Sequence, residues 1–179
     1  IKKKQVICLN MKYSLDFISI IFAAYLNKNP ITILNPNCTI KERNYVLRST
    51  RCKIIFFNED QDIKQKNNFD KSENIFYKKN NFKPLKVFKN TDRFIIFTSG
   101  TTSKPKGVIL TDDSFSNNII SICKNLNLTK SDKTIIFSPP AYAMGISQII
   151  SFMWSSSKIS FYNNGLKFPI ELINKIKKK

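Results

Sequence analysis

The chain has 179 residues, enough to bury a sizeable core, and 42% of them are hydrophobic, which excludes a disordered protein. Its formal net charge is +18, from 30 Lys and Arg against 12 Asp and Glu. These basic residues are mostly Lys scattered among Asn and Ile, not an Arg-rich cluster interleaved with aromatics, so they do not indicate a nucleic-acid partner. The longest apolar stretch, residues 15–26, is too short to span a bilayer.

The first 57 residues predict alternating strands and helices. Three short apolar runs predict strands at residues 5–9, 30–34 and 52–57. Between them, helices are expected at residues 14–26 and 39–49. Thr39 and Glu42 have the spacing of a capping box at the start of the second helix. This alternation is typical of α/β folds, so we predict three layers, with a mostly parallel sheet and helices on both faces.

Residues 58–90 differ in character, being polar and rich in Asn and Lys. We expect a long irregular segment there, with one short strand near residues 74–77. The alternation resumes in residues 91–179. Predicted strands and helices follow in turn, with strands at 94–98, 133–137 and 158–162 and helices at 113–126, 145–154 and 169–177. We therefore expect one domain in three parts, 1–57, 58–90 and 91–179.

The cysteines do not indicate a metal site. Cys8, Cys38, Cys52 and Cys123 form no Cys-x-x-Cys pair, and the chain contains no His, which argues against zinc. All except Cys38 lie in or beside apolar runs, which predicts buried, reduced thiols. Reduced thiols are typical of the cytosol, and no signal-peptide pattern follows residues 1–4, so we expect a cytoplasmic protein.

The clearest chemical signal is a loop of ten residues after the predicted strand at 94–98. It contains Thr98, Ser99, Gly100, Thr101, Thr102, Ser103, Lys104, Pro105, Lys106 and Gly107. Backbone N–H groups, hydroxyl groups and ammonium groups on one loop leaving a sheet suit the oxygens of a phosphate chain. Glycines let the backbone turn tightly and approach a ligand closely. We therefore predict a polyphosphate-binding loop with ATP as its ligand; the alternative is a surface loop rich in Ser and Thr.

The spacing in this loop excludes a Walker A motif, because Pro105 occupies the place of its second Gly and Lys106 is followed by Gly107. The loop resembles instead the phosphate-binding signature of the adenylate-forming superfamily, Ser/Thr-Ser-Gly-Thr-Thr-Gly-x-Pro-Lys-Gly. That superfamily contains acyl-CoA synthetases and the adenylation domains of nonribosomal peptide synthetases. Only Ser103 departs from the signature, at a position where Gly is usual.

Two further segments resemble the same family. Residues 16–36 resemble its early helix and the strand that ends in Asn-Pro. Residues 139–145 resemble its Pro-Leu-Phe-His-x-x-Gly motif, with Tyr142 at the His or aromatic position that lines the acyl pocket and Gly145 at the final Gly. A core aromatic is the alternative for Tyr142. A departure is Asp112, where the family often has His; we expect it to cap the next helix, because a carboxylate would repel phosphates.

The resemblance implies a two-step reaction. A carboxylic acid attacks the α-phosphate of ATP to give an acyl-adenylate and pyrophosphate, and the thiol of coenzyme A or of a pantetheine arm then displaces AMP. The residues implied in binding ATP are Thr98, Ser99, Gly100, Thr101, Thr102, Ser103, Lys104 and Gly107. Lys106 is implied as the catalytic residue that neutralises charge on the departing pyrophosphate. Tyr142 and Gly145 would border the pocket for the acid.

The family's later segments, which hold adenine, Mg²⁺ and ribose and supply a catalytic Lys from a C-terminal domain, do not occur in this sequence. The chain begins with Ile1 and stops in a run of lysines. We therefore expect a partial N-terminal domain, inactive in isolation, whose Mg²⁺ ligands lie downstream. Three functions remain open. We favour a fragment of an acyl-CoA synthetase. The alternatives are a fragment of a peptide synthetase adenylation domain and a basic non-enzymatic protein that binds RNA or anionic membrane.

Overall fold

The computed structural model describes residues 2, 4–58, 70–72, 75–83, 85, 88–98, 105–164 and 169–177. The chain divides into two compact units, Ile1–Asp112 (unit 1) and Asp113–Lys179 (unit 2).

Unit 1 is built on a sheet to which the described residues contribute seven strands. They are β1 (Ile7–Leu9), β2 (Ile31–Ile33), β3 (Ile54–Asn58), β4 (Asp70–Ser72), β5 (Ile75–Lys79), β6 (Asp92–Thr98) and β7 (Lys106–Thr111). Their spatial order is β4-β5-β3-β1-β2-β6-β7. The four central strands are parallel: Ile7 lies opposite both Ile54 and Ile31, and Ile31 lies opposite Phe94. The predicted parallel arrangement is confirmed for this centre.

Both sides of the sheet are antiparallel, which the sequence analysis did not predict. On one side β5 pairs with β3 and with β4, and on the other β7 pairs with β6. A short connection can join antiparallel strands, whereas a parallel pair needs a long crossover. The sheet is therefore mixed. The strand expected near residues 74–77 is confirmed as β5, and β7 extends the sheet where no strand had been assigned.

Two capped helices connect the parallel strands. Helix α1 (Leu15–Leu26) lies between β1 and β2, and the Ser14 hydroxyl accepts its first capping hydrogen bond, from the Phe17 N–H at 3.1 Å. Helix α2 (Ile40–Ser49) lies between β2 and β3 and carries the predicted capping box. The two crossovers run in opposite directions along the sheet, so right-handed connections place α1 and α2 on opposite faces. This is the predicted three-layer arrangement.

The core of unit 1 on the α2 side consists of alternate residues of the strands. Buried members from β1 and β3 include Cys8, Ile55 and Phe57, and they pack with Val46 and Leu47 of α2. Side chains that alternate along a strand, such as Ile55 and Phe57, point to one face of the sheet. The pattern in the sequence therefore predicts which residues meet.

Unit 2 is a strand–helix–strand unit flanked by helices. Its elements are α3 (Asp112–Asn125, which starts at the last residue of unit 1), β8 (Lys133–Ile136), α4 (Ala143–Trp154), β9 (Lys158–Phe161) and α5 (Pro169–Lys177). Strands β8 and β9 are parallel. Ile136 of β8 and Ile146 and Ile149 of α4 are buried. These elements match the predicted ones within a few residues.

The cysteines form no disulfide. Cys8 and Cys52 are buried, as predicted. Cys123, which was also predicted to be buried, is half-buried, as is Cys38. Burial raises the pKa of the Cys8 thiol well above its ordinary value and also raises the pKa of Cys38. Both thiols therefore stay protonated near neutral pH. Within the described ranges, no helix has the length and apolar character needed to cross a membrane.

Candidate functional site

The predicted phosphate-binding loop is bordered by the two strands of the β6–β7 hairpin. Strand β6 ends at Thr98, strand β7 begins at Lys106, and these two residues pair directly. Because β6 is parallel to β2, and through it to β1 and β3, Thr98 lies at the carboxyl edge of four parallel strands. Open α/β sheets bind their ligands at this edge. The expected start of the loop, at the carboxyl end of a strand, is therefore confirmed.

The central part of the loop, residues 99–104, lies outside the described residues. The predicted site residues concerned are Ser99, Gly100, Thr101, Thr102, Ser103 and Lys104. Their roles toward ATP stay predictions.

The two residues that border the loop present a hydroxyl and an ammonium group together. Thr98 and Lys106 are both exposed. Residues directly opposite in an antiparallel pair share a face of the sheet, with Cβ atoms about 4.5–5.5 Å apart. The Thr98 hydroxyl and the Lys106 side chain therefore start from the same face of the hairpin. A hydrogen-bond donor next to a cation is an arrangement that suits an anionic oxygen.

Gly107 makes room for an aromatic ring. It lies within β7, directly opposite Phe97. A Cβ atom built on Gly107 would lie 3.1 Å from Cγ2 of Ile95 and 3.2 Å from Cζ of Phe97, closer than ordinary carbon contacts. Gly107 was predicted to let the backbone turn tightly and approach a ligand. The described geometry gives it a packing role, because any side chain would displace Phe97 or Ile95.

Tyr45 of α2, which was not predicted as a site residue, contacts residues on both sides of the loop. Its hydroxyl donates a hydrogen bond to the carbonyl oxygen of Pro105 at 2.9 Å. Its ring meets the ring of Phe97 edge-on, with centroids 6.3 Å apart and planes at 79°. No sequence signal marks Tyr45, since one aromatic residue on an amphipathic helix is typical of ordinary packing.

Asp112, which departs from the family pattern, lies at the opposite end of the hairpin from Lys106. Six residues of extended chain, at about 3.4 Å each, place them roughly 20 Å apart. The Asp112 carboxylate forms an ion pair with Arg93 and accepts a hydrogen bond from the Tyr25 hydroxyl at 2.9 Å. It is the first residue of α3; its side chain contacts β6 and α1, and its N–H donates to the Thr91 carbonyl oxygen at 2.7 Å. Asp112 therefore forms an ion pair at the end of the hairpin away from Lys106, and its expected role as a helix cap stays a prediction.

The other two predicted site residues belong to unit 2. Tyr142 is the N-cap residue of α4 and makes no side-chain capping hydrogen bond. Its side chain is 56% exposed, so the alternative of a core aromatic is wrong. Gly145 is buried in the first turn of α4, and its N–H donates to the Tyr142 carbonyl oxygen at 3.0 Å. The structure therefore presents an aromatic side chain at the start of a helix that follows β8.

No group of three or more His, Cys, Asp and Glu side chains that could hold a metal ion occurs among the residues that the structure describes. The expectation that Mg²⁺ ligands lie downstream stays a prediction.

Comparison with known proteins gives a consistent set of relatives. The family model described as AMP-binding enzyme matches residues 1–178. Bacitracin synthase 3 of Bacillus licheniformis is 36% identical over 66 residues, which are 37% of this chain and 1% of that protein. Long chain acyl-CoA synthetase 2 of Arabidopsis thaliana is 30% identical over 88 residues, 46% of this chain and 13% of that protein.

Solved structures share the fold. The o-succinylbenzoate CoA synthetase (MenE) of Bacillus subtilis, in complex with the acyl-adenylate intermediate OSB-AMP, superposes with a TM-score of 0.77 and 16% identity. The superposition covers 99% of this chain and 48% of that chain. The same enzyme in complex with ATP and magnesium gives a TM-score of 0.74 at 16% identity, over 99% of this chain and 49% of that one. The chain thus spans about half of these structures and a small part of the curated relatives.

Proposed function

Since this chain belongs to the family of AMP-binding enzymes, we propose that it is part of an AMP-forming ligase that activates a carboxylic acid with ATP and passes the acyl group to a thiol. The observation that carries the proposal is the position of the loop between Thr98 and Lys106. It leaves the carboxyl edge of four parallel strands, and its borders carry a hydroxyl and an ammonium group. A phosphate chain is the ligand that this combination suits.

In the proposed first step, a carboxylate oxygen bonds to the α-phosphorus of ATP. The bond from that phosphorus to the oxygen that bridges to the β-phosphate breaks, and pyrophosphate leaves with the electron pair. Negative charge therefore grows on the leaving group. The exposed ammonium group of Lys106 neutralises this charge, and the Thr98 hydroxyl donates a hydrogen bond to a phosphate oxygen. Positioning and charge neutralisation account for most of the rate in such transfers.

The acid and the acceptor thiol separate two forms of the proposal. We favour an acyl-CoA synthetase, in which coenzyme A accepts the acyl group. A second candidate is a peptide synthetase adenylation domain, in which the acid is an amino acid and a pantetheine arm accepts it; the 36% identity to bacitracin synthase 3 favours it. In either form, Tyr142 borders the pocket for the acid. The free cysteines agree with the cytoplasmic location that we propose.

The test is carboxylate-dependent exchange of pyrophosphate into ATP by the full-length protein that carries this chain. A panel of amino acids, aryl acids and fatty acids is screened. Exchange with amino acids alone would support the peptide synthetase. Exchange with aryl or fatty acids would support the acyl-CoA synthetase. If no acid supports exchange and the protein instead binds RNA with a steep dependence on salt, the ligase proposal fails and the non-enzymatic alternative stands.

The role of Lys106 is tested by Lys106→Ala in a single-turnover adenylation assay. Loss of a charge that stabilises the transition state typically costs about a hundredfold in rate, so we expect about that decrease. Lys158→Ala is the matched control, because Lys158 is also an exposed lysine at the first position of a strand. Equal rates for the two variants would remove Lys106 from the mechanism.

A further inference from the structure

We propose that Tyr45 is a positioning residue that holds Lys106 in place for adenylation; this inference rests on the proposed function. Tyr45 lies on α2, far from the loop in sequence, yet it contacts the residue before Thr98 and the residue before Lys106. One side chain therefore ties both ends of the loop to the same helix.

The first tie is through Phe97, the residue next to Thr98. The Tyr45 and Phe97 rings meet edge-on with centroids 6.3 Å apart, an arrangement that aromatic rings favour. On the hairpin, Phe97 lies against the place where a side chain of Gly107 would project. The ring of Phe97 is thus fixed from two sides, by Tyr45 and by the backbone of β7.

The second tie is through the peptide bond between Pro105 and Lys106. The Pro105 carbonyl accepts the Tyr45 hydroxyl hydrogen bond at 2.9 Å. A peptide unit is planar, so the carbonyl of Pro105 and the N–H of Lys106 move as one rigid group. The proline ring also fixes its own φ angle. Holding this carbonyl oxygen therefore fixes the direction in which the chain enters Lys106.

Helix α2 is a firm support for these two ties. Its first turn is closed by the capping box, in which the Thr39 N–H donates to Glu42 at 2.7 Å and the Glu42 N–H donates to the Thr39 hydroxyl at 3.2 Å. Val46 and Leu47, which follow Tyr45, are buried in the core of unit 1, and Tyr45 packs against that core. The backbone of Tyr45 is therefore fixed, and its partly buried ring is packed in one direction.

The consequence concerns the rate of the chemical step more than the binding of the acid. Lys106 is exposed, and its long side chain has many rotamers. A fixed backbone reduces the volume that its ammonium group samples. Transfer reactions lose rate when a charged group is displaced by about 1 Å. Loss of the Tyr45 hydroxyl should therefore slow adenylation without changing the chemistry.

The experiment compares Tyr45→Phe with Tyr25→Phe in the full-length protein. Both substitutions keep the ring and remove one hydroxyl that donates an exposed hydrogen bond of 2.9 Å. The Tyr25 bond goes to Asp112, at the other end of the hairpin. Single-turnover adenylation at saturating ATP is measured with the acid that gives the fastest exchange in the screen above. Hydrogen exchange is followed in peptides that cover residues 105–111.

We expect Tyr45→Phe to slow adenylation about threefold to tenfold, the range that one hydrogen bond supports. It should also speed up hydrogen exchange near Lys106, whereas Tyr25→Phe should do neither. In a Lys106→Ala background the effect of Tyr45→Phe on the rate should fall to less than twofold, because the two residues act through one another.

Three outcomes would overturn the proposal. If Lys106→Ala slows the reaction while Tyr45→Phe and Tyr25→Phe behave alike, Tyr45 is structural only and the proposed function stands. If the effects of Tyr45→Phe and Lys106→Ala multiply independently, Tyr45 does not act through Lys106. If no acid supports adenylation, the proposed function and the role of Tyr45 fail together.

Discussion

The ion pair between Arg93 and Asp112 predicts that Asp112→Asn destabilises unit 1. The side chain of Arg93 is 6% exposed and that of Asp112 is 27% exposed. Breaking a fully buried pair costs about 3–5 kcal/mol, and a surface pair contributes at most about 1 kcal/mol. Arg93 also donates from Nη1 to the Asn90 carbonyl oxygen at 2.6 Å, which lowers the cost. Because one partner is buried and the other partly exposed, we expect a loss of about 2 kcal/mol.

The assay is hydrogen exchange of the β6 amides, which reports the free energy of opening in unit 1. Asp113→Asn is the matched control, because Asp113 is the adjacent, exposed residue of α3. Both variants lose one negative charge in the first turn of the helix, where such a charge is stabilising. The difference between them isolates the contact with Arg93. If both variants lose the same free energy, the ion pair contributes nothing, and the carbonyl oxygens near Arg93 are enough for its guanidinium group.

Two other substitutions test packing and capping. Gly107→Ala should cost about 1 kcal/mol in urea unfolding, because the new methyl group crowds Ile95 and Phe97. The cost should fall in a Phe97→Leu background, where the ring contact is removed, and an unchanged midpoint for Gly107→Ala would show that both neighbours yield freely. Hydrogen bonds from the Thr39 N–H and hydroxyl lower the pKa of Glu42 in the folded protein. The Glu42 carboxylate therefore contributes to stability above the ordinary Glu pKa of about 4.3, and this contribution is lost as the pH falls through the lower, folded-state pKa. Glu42→Gln should therefore be less stable than the wild type at pH 7, and this difference should shrink at pH 3; a difference independent of pH would refute the role of the charge.

The parallel centre of the sheet could be predicted because its strands are buried on both faces. Such strands appear in the sequence as continuous apolar runs, and capping residues mark the helices between them. Strands β4 and β7 could not be predicted in the same way. Residues 106–109 of β7 are exposed, and β4 consists of Asp70, Lys71 and Ser72. Strands of this kind form because a neighbour offers backbone hydrogen bonds, which leaves no hydrophobic pattern in the sequence.

The site could be predicted only where its residues are adjacent in the chain. The order of hydroxyls, glycines and lysines identified the loop, and the structure places its borders at the expected edge of the sheet. Tyr45 is 60 residues from Pro105, and Tyr25 is 87 residues from Asp112. Contacts at such separations arise from the fold and leave no local signal. The packing role of Gly107 also leaves no local signal, because its neighbour Ile95 lies on the opposite strand.

The β6–β7 hairpin is held at its two ends by different interactions, and these should affect different properties. At the loop end, Tyr45 makes one exposed hydrogen bond to the backbone next to Lys106, which contributes little to stability but fixes a charged group. At the far end, the carboxylate of Asp112 pairs with the buried Arg93, about 20 Å from Lys106. We therefore expect Asp112→Asn, assayed where it remains folded, to adenylate within about twofold of the wild type, and Tyr45→Phe to unfold at nearly the same urea concentration as the wild type. Single-turnover rates and urea midpoints measured on the same preparations check both statements. If a fully folded Asp112→Asn protein adenylated slowly, the far end of the hairpin would also control the loop. The assignment of stability to one end and of rate to the other would then be wrong.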